Sequence, residues 1–267
     1  MGIAKELKDV DIGFEIVARH GMAKLPIILS EADPEGCAAC SMKVNPANGY
    51  RNGTLYPSYT AAAYKGLLDL EARRKANLIS MLSWSFAFEN KDYFEGFRSL
   101  STNTIDKPVL NFFRMAALMK GTRVAATSDG AVPLDAMMAS GVGAAPDIDA
   151  LATASGREAA VMLWNYHDEE KSAAPAPASV TVRGLPKAAS RVLVTHYRID
   201  DTHSNAYTVW KAMGSPQKPS AQQIAELKAR AGLELLESPR WMTAQGGAVT
   251  IPTDMPCHAV SLIQLSW

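Results

Sequence analysis

Apolar residues open the chain at three- and four-residue steps. Ile3, Leu7, Val10, Phe14 and Val17 draw one stripe of a helix that ends at His20-Gly21. No capping side chain precedes that helix, an odd way for a protein to begin. The period then changes. Leu25-Pro26-Ile27-Ile28-Leu29 is a short continuous apolar run, as expected of a strand buried on both faces of a parallel sheet. It stops at Ser30-Glu31-Ala32-Asp33-Pro34, and a loop rich in Gly, Pro, Asn and Cys is expected over residues 35–57. Tyr64, Leu67, Leu68 and Leu70 mark a second helix, with Glu71, Arg73, Arg74 and Lys75 near its polar end. Leu78-Ile79-Ser80-Met81-Leu82 is a second apolar strand that runs into Ser83-Trp84-Ser85-Phe86. After a loop over residues 89–106, Pro108 starts a third helix through Val109, Leu110, Phe113, Ala116 and Leu118, closed by Gly121.

The order helix, strand, loop, helix, strand, loop, helix predicts an α/β region over residues 1–121. It has the build of the terminal portion of a (β/α)8 TIM barrel, because a whole barrel takes about 200 residues or more. Near Thr122 the pattern changes again. Residues 160–165, 179–183, 191–198, 248–251 and 259–265 are short β-rich runs with partial alternation. Pro- and Gly-bearing separators such as Ala173-Ala174-Pro175-Ala176-Pro177-Ala178 lie between them. Residues 122–267 are therefore expected to form an all-β, antiparallel β-sandwich domain. One helix interrupts it: Ser220 and Gln223 make a capping box, Ile224 and Leu227 its apolar face, and Gly232 its end.

Composition narrows the function classes. The 267 residues are 48% hydrophobic and 20% charged, enough for one large or two ordinary cores. Lys+Arg and Asp+Glu number 27 each, so no net field draws the chain to nucleic acid or to an acidic membrane. No apolar run approaches the roughly 18 residues of a membrane span. No apolar segment follows a basic start after Met1, so no signal peptide is visible. The compartment, cytoplasmic or periplasmic, is not settled by that. Three cysteines cannot all pair, which excludes a disulfide framework.

Several residues carry candidate chemistry. Glu31 sits where an apolar parallel strand ends, the edge at which barrel enzymes present catalytic groups. The same position also suits an ordinary loop or capping acid. Trp84 ends the second strand at the same level. Its indole offers a flat face to a sugar ring, or simple rim packing. Cys37-Ala38-Ala39-Cys40 has redox spacing but follows Pro34-Glu35-Gly36 in a loop, not a thioredoxin-type strand-to-helix turn. Zinc would need two further ligands, which Cys257 and the scattered histidines supply only by assumption, so no metal is expected. His196, Asp200, His203 and Ser204 could be drawn as a triad, yet no nucleophile-elbow pattern surrounds Ser204, and a hydrogen-bonded loop scaffold is favoured. Glu89, Asp92 and Glu95 form an acidic stretch that reads first as a solvated loop. Neither a Walker loop nor Gly-x-Gly-x-x-Gly occurs.

At Leu29-Ser30-Glu31-Ala32-Asp33-Pro34-Glu35-Gly36-Cys37 the chain resembles the nucleophile strand of bacterial β-xylosidases of glycoside hydrolase family 39. Tyr50-Arg51-Asn52-Gly53-Thr54, Ser83-Trp84-Ser85-Phe86 and Lys107-Pro108-Val109-Leu110-Asn111 agree with it. So do Leu163-Trp164-Asn165-Tyr166-His167-Asp168 and Tyr197-Arg198-Ile199-Asp200. The more specific matches are His203-Ser204-Asn205-Ala206-Tyr207 and Met213-Gly214-Ser215-Pro216-Gln217. The resemblance covers nearly the whole chain. It implies a retaining glycosidase built as a barrel with an attached β-sandwich. Glu31 would be the nucleophile after the seventh strand and Trp84 would follow the eighth. Trp84, Tyr50, Asn52 and Phe86 would bind substrate, a xylo-oligosaccharide or other small glycoside, with no cofactor. It also implies a cis peptide between Trp84 and Ser85, and leaves a homo-oligomer open for the full-length enzyme.

One departure matters as much as the match. Members carry their acid/base glutamate in an Asn-Glu-Pro motif after the fourth strand, and this sequence contains no Asn-Glu-Pro. The expectation is a chain that begins just before the seventh strand. Retaining hydrolysis needs two carboxyls about 5–5.5 Å apart, so such a chain should be inactive alone on unactivated xylosides. Its apolar barrel strands should expose side chains to water. An α-L-iduronidase-like specificity is the alternative within the family, and would call for a cation facing the sugar carboxylate. Outside it stand a non-catalytic carbohydrate-binding or interaction module, and a thiol-dependent or metal enzyme using Cys37 and Cys40.

Overall fold

The computed structural model describes residues 2–88 and 90–267. The chain folds as α1 (Ile3–Arg19), β1 (Pro26–Leu29), a 3-10 helix (Pro46–Asn52), α2 (Leu55–Arg74) and β2 (Asn77–Met81). A small hairpin β3 (Ser101–Thr102) and β4 (Ile105–Asp106) precedes α3 (Pro108–Leu118). Then come β5 (Thr122–Val124), α4 (Leu134–Ser140), β6 (Asp147–Ser155), β7 (Glu158–Tyr166), β8 (Ala176–Arg183) and β9 (Arg191–Ile199). The chain ends with α5 (Ala206–Ala212), α6 (Ala221–Ala231), β10 (Glu234–Thr243), β11 (Ala248–Met255) and β12 (Val260–Ser266).

The apolar stripe of α1 is real: Ile3, Leu7 and Phe14 are buried. Its cap is supplied from far along the chain. Gly2 has no capping side chain, and the Ile3 N–H donates to Asp168 Oδ1 at 3.2 Å. Asp168 also accepts from the Val142 N–H and the Tyr166 hydroxyl, so one carboxylate closes a helix start, a loop and a strand end. Leu7 packs on Gly66 of α2. A Cβ at Gly66 would stand 2.8 Å from Leu7 Cδ2, so the glycine is what lets the two helices approach.

α2 begins at Leu55, inside the segment expected to be loop, and the 3-10 helix before it occupies more of that segment. Sequence periodicity missed this start because Leu55–Ala63 is buried on every side, leaving no polar face to set a period. α2 lies against α1, against β1 and β2, and against the main sheet. Lys75 ends it in the left-handed region at φ 52°, donating its N–H to the Glu71 carbonyl.

β1 and β2 pair in parallel, as expected, with Pro26 opposite Asn77 and Leu29 opposite Met81. The pairing continues past the strand ends: Leu82 N–H donates to Leu29 O at 2.9 Å, and Ala32 N–H to Leu82 O at 2.8 Å. Burial on both faces is not what these strands show. Ile28 is 55% and Ile79 58% exposed, and Leu25 and Leu82 are exposed too. Only the face toward α2 is covered, because no further layer lies on the other among the described residues. The Trp84–Ser85 peptide is trans, as are all peptides of the described residues. This avoids the about 3–4 kcal/mol of a non-proline cis bond.

The strands buried on both faces lie instead in the second half. A six-stranded antiparallel sheet runs in the order β10-β9-β12-β7-β6-β5, and β8 and β11 form a separate two-stranded ribbon. Along β7, Ala160, Met162, Trp164 and Tyr166 face the helices, while Leu163 faces the ribbon. Val260 and Leu262 of β12 likewise face the helices, and Ile263 and Leu265 the ribbon. The ribbon adds Val249, Ile251 and Met255 to that second core. The result is three layers: helices, main sheet, ribbon. β5 starts at Thr122, where the pattern change was read, but one core of α1, α2, α3, β7 and β12 side chains crosses that point. The β3–β4 hairpin, inside the segment expected to be loop over residues 89–106, went unread, as did β6, β10, α4 and α5. Of these, β6 and β10 are half-exposed strands, and the short α4 and α5 carry no extended period. The capping box at Ser220 and Gln223 does open α6.

Glu6 generates a pH prediction. The Tyr59 hydroxyl donates to its Oε2, while Oε1 is buried without a partner. Burial raises its pKa from 4.5 to about 7, against the Tyr59 hydrogen bond and helped by the charge of Asp33. Between pH 4.5 and 7 the folded chain then holds a proton that the unfolded chain has lost, so stability falls as pH rises through this window. Glu6→Gln should remove this loss. Urea denaturation should find the variant more stable than the parent by about 2 kcal/mol at pH 8, with the gap closing toward pH 4. Equal stabilities at pH 8 would contradict the assignment.

Candidate active site

Glu31 lies two residues beyond β1, at the level where the extended β1–β2 pairing ends. Its Oε1 pairs with Arg98 Nη2, and its side chain is 31% exposed. Arg98 itself is wholly buried. Its Nη1 contacts Asp33 Oδ2 at 3.1 Å and donates to the Glu35 carbonyl at 2.9 Å, and Nη2 also reaches the Gly36 carbonyl at 3.4 Å. The Arg98 N–H donates to Ala38 O, and its carbonyl accepts from the Phe86 N–H. One guanidinium thus gathers the segment after β1 and fixes the loop after β2 against it.

Asp33 is the second hub. Its Oδ1 accepts from the Tyr56 hydroxyl at 2.7 Å and the Ser83 hydroxyl at 2.8 Å, and its Oδ2 from the Trp84 N–H at 2.8 Å. With the Arg98 contact, that is three hydrogen bonds and one ion pair on a buried carboxylate. Glu35 is equally committed, Oε2 to the Tyr50 hydroxyl at 2.5 Å and Oε1 to Arg51 Nη2 at 3.0 Å. Of the three acids between residues 31 and 35, Glu31 alone keeps an oxygen, Oε2, without a hydrogen bond among the described residues.

Arg51 is the second buried arginine. It donates to the carbonyls of Cys37 at 2.9 Å, Cys40 at 3.2 Å and Gly96 at 3.3 Å. Lys107 is buried as well, donating to Phe97 O at 2.8 Å, and burial with the nearby Arg51 charge lowers its pKa to about 7. Such a lysine gives up its proton more readily than it would in water, which reduces the cost of three cations packed together.

The other residues singled out from sequence divide. Trp84 is 51% and Phe86 40% exposed, their rings 5.1 Å apart, and both sit on backbone tied to Asp33 or Arg98. They form an open aromatic surface that continues through Phe88 to Phe97. Tyr50 is buried, donates to Glu35, accepts from Arg51 Nε at 3.3 Å and packs edge-on against Tyr56, and burial then Glu35 push its hydroxyl pKa far up. Asn52 is wholly buried, donating to Phe94 O at 2.7 Å. Cys37 and Cys40 are joined in a disulfide, and no cluster suited to a metal ion occurs among the described residues. Asp200 accepts from Thr202 and His203, His196 hydrogen-bonds Ser261, and Ser204 donates to Arg198 O. Asp200, His203 and Ser204 form a loop scaffold, while His196 lies within β9 and bonds across to β12, so the four make no triad. Asp92 and Glu95 each pair with Lys43 at 2.8 Å, and Glu89 lies outside the described residues.

Sequence reasoning missed Asp33, Arg51, Tyr56 and Arg98 as individual parts of the site. Asp33 carried a faint signal, an acid two residues beyond Glu31. Arg98 carried none, since its loop has no period and its partners lie more than 60 residues away.

A family model for glycosyl hydrolases family 39 matches residues 3–248. The α-L-iduronidase of Mus musculus is 27% identical over 168 residues, covering 60% of this chain and 25% of its own length. A monomeric β-xylosidase from Caulobacter crescentus superposes with a TM-score of 0.69 at 17% identity, over 97% of this chain and 49% of its own. A bacterial orthologue of human α-L-iduronidase does so with a TM-score of 0.76 at 18% identity, over 96% of this chain and 44% of its own. The two structural likenesses show the fold. The chain spans a quarter of the curated relative and about half of each structure.

The carboxylates separate by mutation. Arg98→Ala should cost about 3–5 kcal/mol, because it leaves Asp33 buried and charged without its cation. Glu31→Gln should cost less, about 1 kcal/mol, since Arg98 keeps Asp33 and two carbonyls and the Gln oxygen can still accept from it. Urea denaturation of both variants measures this, and a Glu31→Gln loss matching that of Arg98→Ala would make Glu31 a structural ion.

Proposed function

Because the chain belongs to glycosyl hydrolases family 39, we propose that it carries the nucleophile side of a retaining, β-xylosidase-like glycoside hydrolase, with Glu31 as the nucleophile. The observation that carries this is the free Oε2 of Glu31 beside the saturated Asp33 and Glu35. An attacking oxygen must be held in place and yet remain uncommitted. Arg98 holds one Glu31 oxygen and leaves the other to the anomeric carbon. Trp84 and Phe86 then offer flat apolar faces to the sugar, on backbone positioned by the same two hubs. In this reading β1 and β2 are the last two strands of a TIM barrel, and the main sheet with its ribbon is the accessory β-sandwich.

Double displacement needs a second carboxyl to protonate the leaving oxygen and then activate water. We place that group in polypeptide outside these 267 residues. The support is the absence of Asn-Glu-Pro together with the span of about half of the solved relatives. Glu31 alone could attack an aryl glycoside, whose leaving group needs little protonation. A natural xylo-oligosaccharide should stall.

The likeness to α-L-iduronidases favours a second specificity. An iduronoside brings a carboxylate that wants a cation. Arg51 and Arg98 are buried and spent on carbonyls and carboxylates, which leaves the xyloside reading ahead.

The nucleophile is tested in a full-length polypeptide containing this segment. An activated 2-fluoro-xyloside should label the peptide bearing Glu31, and Glu31→Gln should abolish labelling. A label on another acid would move the nucleophile. The 267-residue chain by itself should release no xylose from xylobiose in a sugar assay, and turnover there would overturn the two-carboxylate argument.

A further inference from the structure

We propose that Cys37 and Cys40 are a reversible dithiol–disulfide modification site that latches the arginine cradle around Glu31. The disulfide joins them across a tight turn with their Cα atoms 5.4 Å apart. Cys37 is exposed and Cys40 half-buried, so a small reagent can reach the pair from solvent. The turn it closes has an unusual hydrogen-bonding job. The carbonyls of Glu35 and Gly36 accept from the Arg98 side chain, and that of Ala38 accepts from the Arg98 N–H. The carbonyls of Cys37 and Cys40 accept from Arg51, and Asn48 adds a second donor to Cys40 at 2.7 Å. Five carbonyls within six residues are therefore turned toward two buried arginines, one of which also holds Glu31.

Such a turn is costly to keep. Crowded carbonyl oxygens repel one another, and the segment belongs to no helix or strand that would align it. A covalent link across it removes the open conformations that would compete. Reduction gives those conformations back. The carbonyls can then swing to water, and the buried guanidiniums lose the partners that make their burial tolerable.

The chemistry balances with a dithiol as reductant. One reductant thiolate attacks the more exposed sulfur, that of Cys37, forming a mixed disulfide and releasing the Cys40 thiolate. The second reductant thiol displaces Cys37. Two electrons and two protons pass to the protein, leaving two cysteine thiols and one oxidised, disulfide-bonded reductant. Loss of sugar binding on reduction would rest on the Glu31 reading above, whereas the latch itself does not depend on it.

Hydrogen exchange of the native chain tests the latch, using dithiothreitol and then reoxidation. The reporters are the Arg98 amide, bonded to Ala38 O, and the Met42 amide, bonded to Glu95 O at 2.7 Å. Both should exchange about tenfold faster or more after reduction. The amides of β7, β9 and β12 should hold their rates, and reoxidation should restore the oxidised pattern. The double variant Cys37→Ser/Cys40→Ser should match the reduced chain without reductant. If it does not fold, the reduced native chain still decides. Maleimide should label Cys257 before reduction, and Cys37 and Cys40 only after it. Labelling of Cys37 or Cys40 beforehand would overturn the proposal. So would unchanged Arg98 and Met42 rates, or acceleration throughout the main sheet, which would make the disulfide a global staple. Failure of the xyloside label with the latch result intact would remove the Glu31 reading alone.

Discussion

A buried guanidinium needs its charge offset and its donors met, and in this chain Arg98 imposes that demand on everything around it through Nη1 and Nη2, while its Nε is buried without a partner among the described residues. Arg98 is wholly enclosed, so its desolvation is offset only where carboxylates and carbonyls converge. Asp33 and Glu31 supply the charge, and the Glu35 and Gly36 carbonyls supply acceptors. Asp33 passes the constraint onward to Tyr56 on α2 and to Ser83 and Trp84 beyond β2. Two strand ends, a helix and two loops are thereby fixed relative to one ion. The same interaction gives Glu31 a defined place without consuming both of its oxygens.

The floor under that cluster is α2. A helix buried all round its first half cannot lie on a surface, and α2 is enclosed by α1, the β1–β2 pair and the main sheet. Tyr56 and Tyr59 of that buried turn reach Asp33 and Glu6. The core that seats α2 is shared with Met162, Trp164 and Leu262 of the main sheet, so the site rests on both halves of the chain. Support of this kind suits a catalytic group, which loses effect when its surroundings shift by an ångström. The open face of β1 and β2, with Ile28, Ile79 and Leu82 toward water, is the opposite case. It is apolar surface for which the described residues provide no cover.

Local physics made part of this legible in the sequence. The stripe of α1, Pro108 at the start of α3, the capping box of α6, the apolar runs of β1 and β2 and the change of pattern at Thr122 all rest on neighbours within a few residues. So did the placing of Glu31 past the end of an apolar strand, and the motifs that resembled family 39. What lay beyond reach was contact between distant residues. The cap of α1 comes from Asp168, and the partner of Glu31 from Arg98 in a loop without period. The start of α2 was hidden because uniform burial erases the alternation on which periodicity depends. Burial on both faces was assigned to β1 and β2 and belongs to β7 and β12, because an apolar run reports the affinity of its side chains for a core and not whether one is there. Sequence determined which residues could make strands, helices and a carboxylate at a strand end. Only the tertiary structure decided which acid would be left with a free oxygen, since that depends on donors brought together from three separate segments.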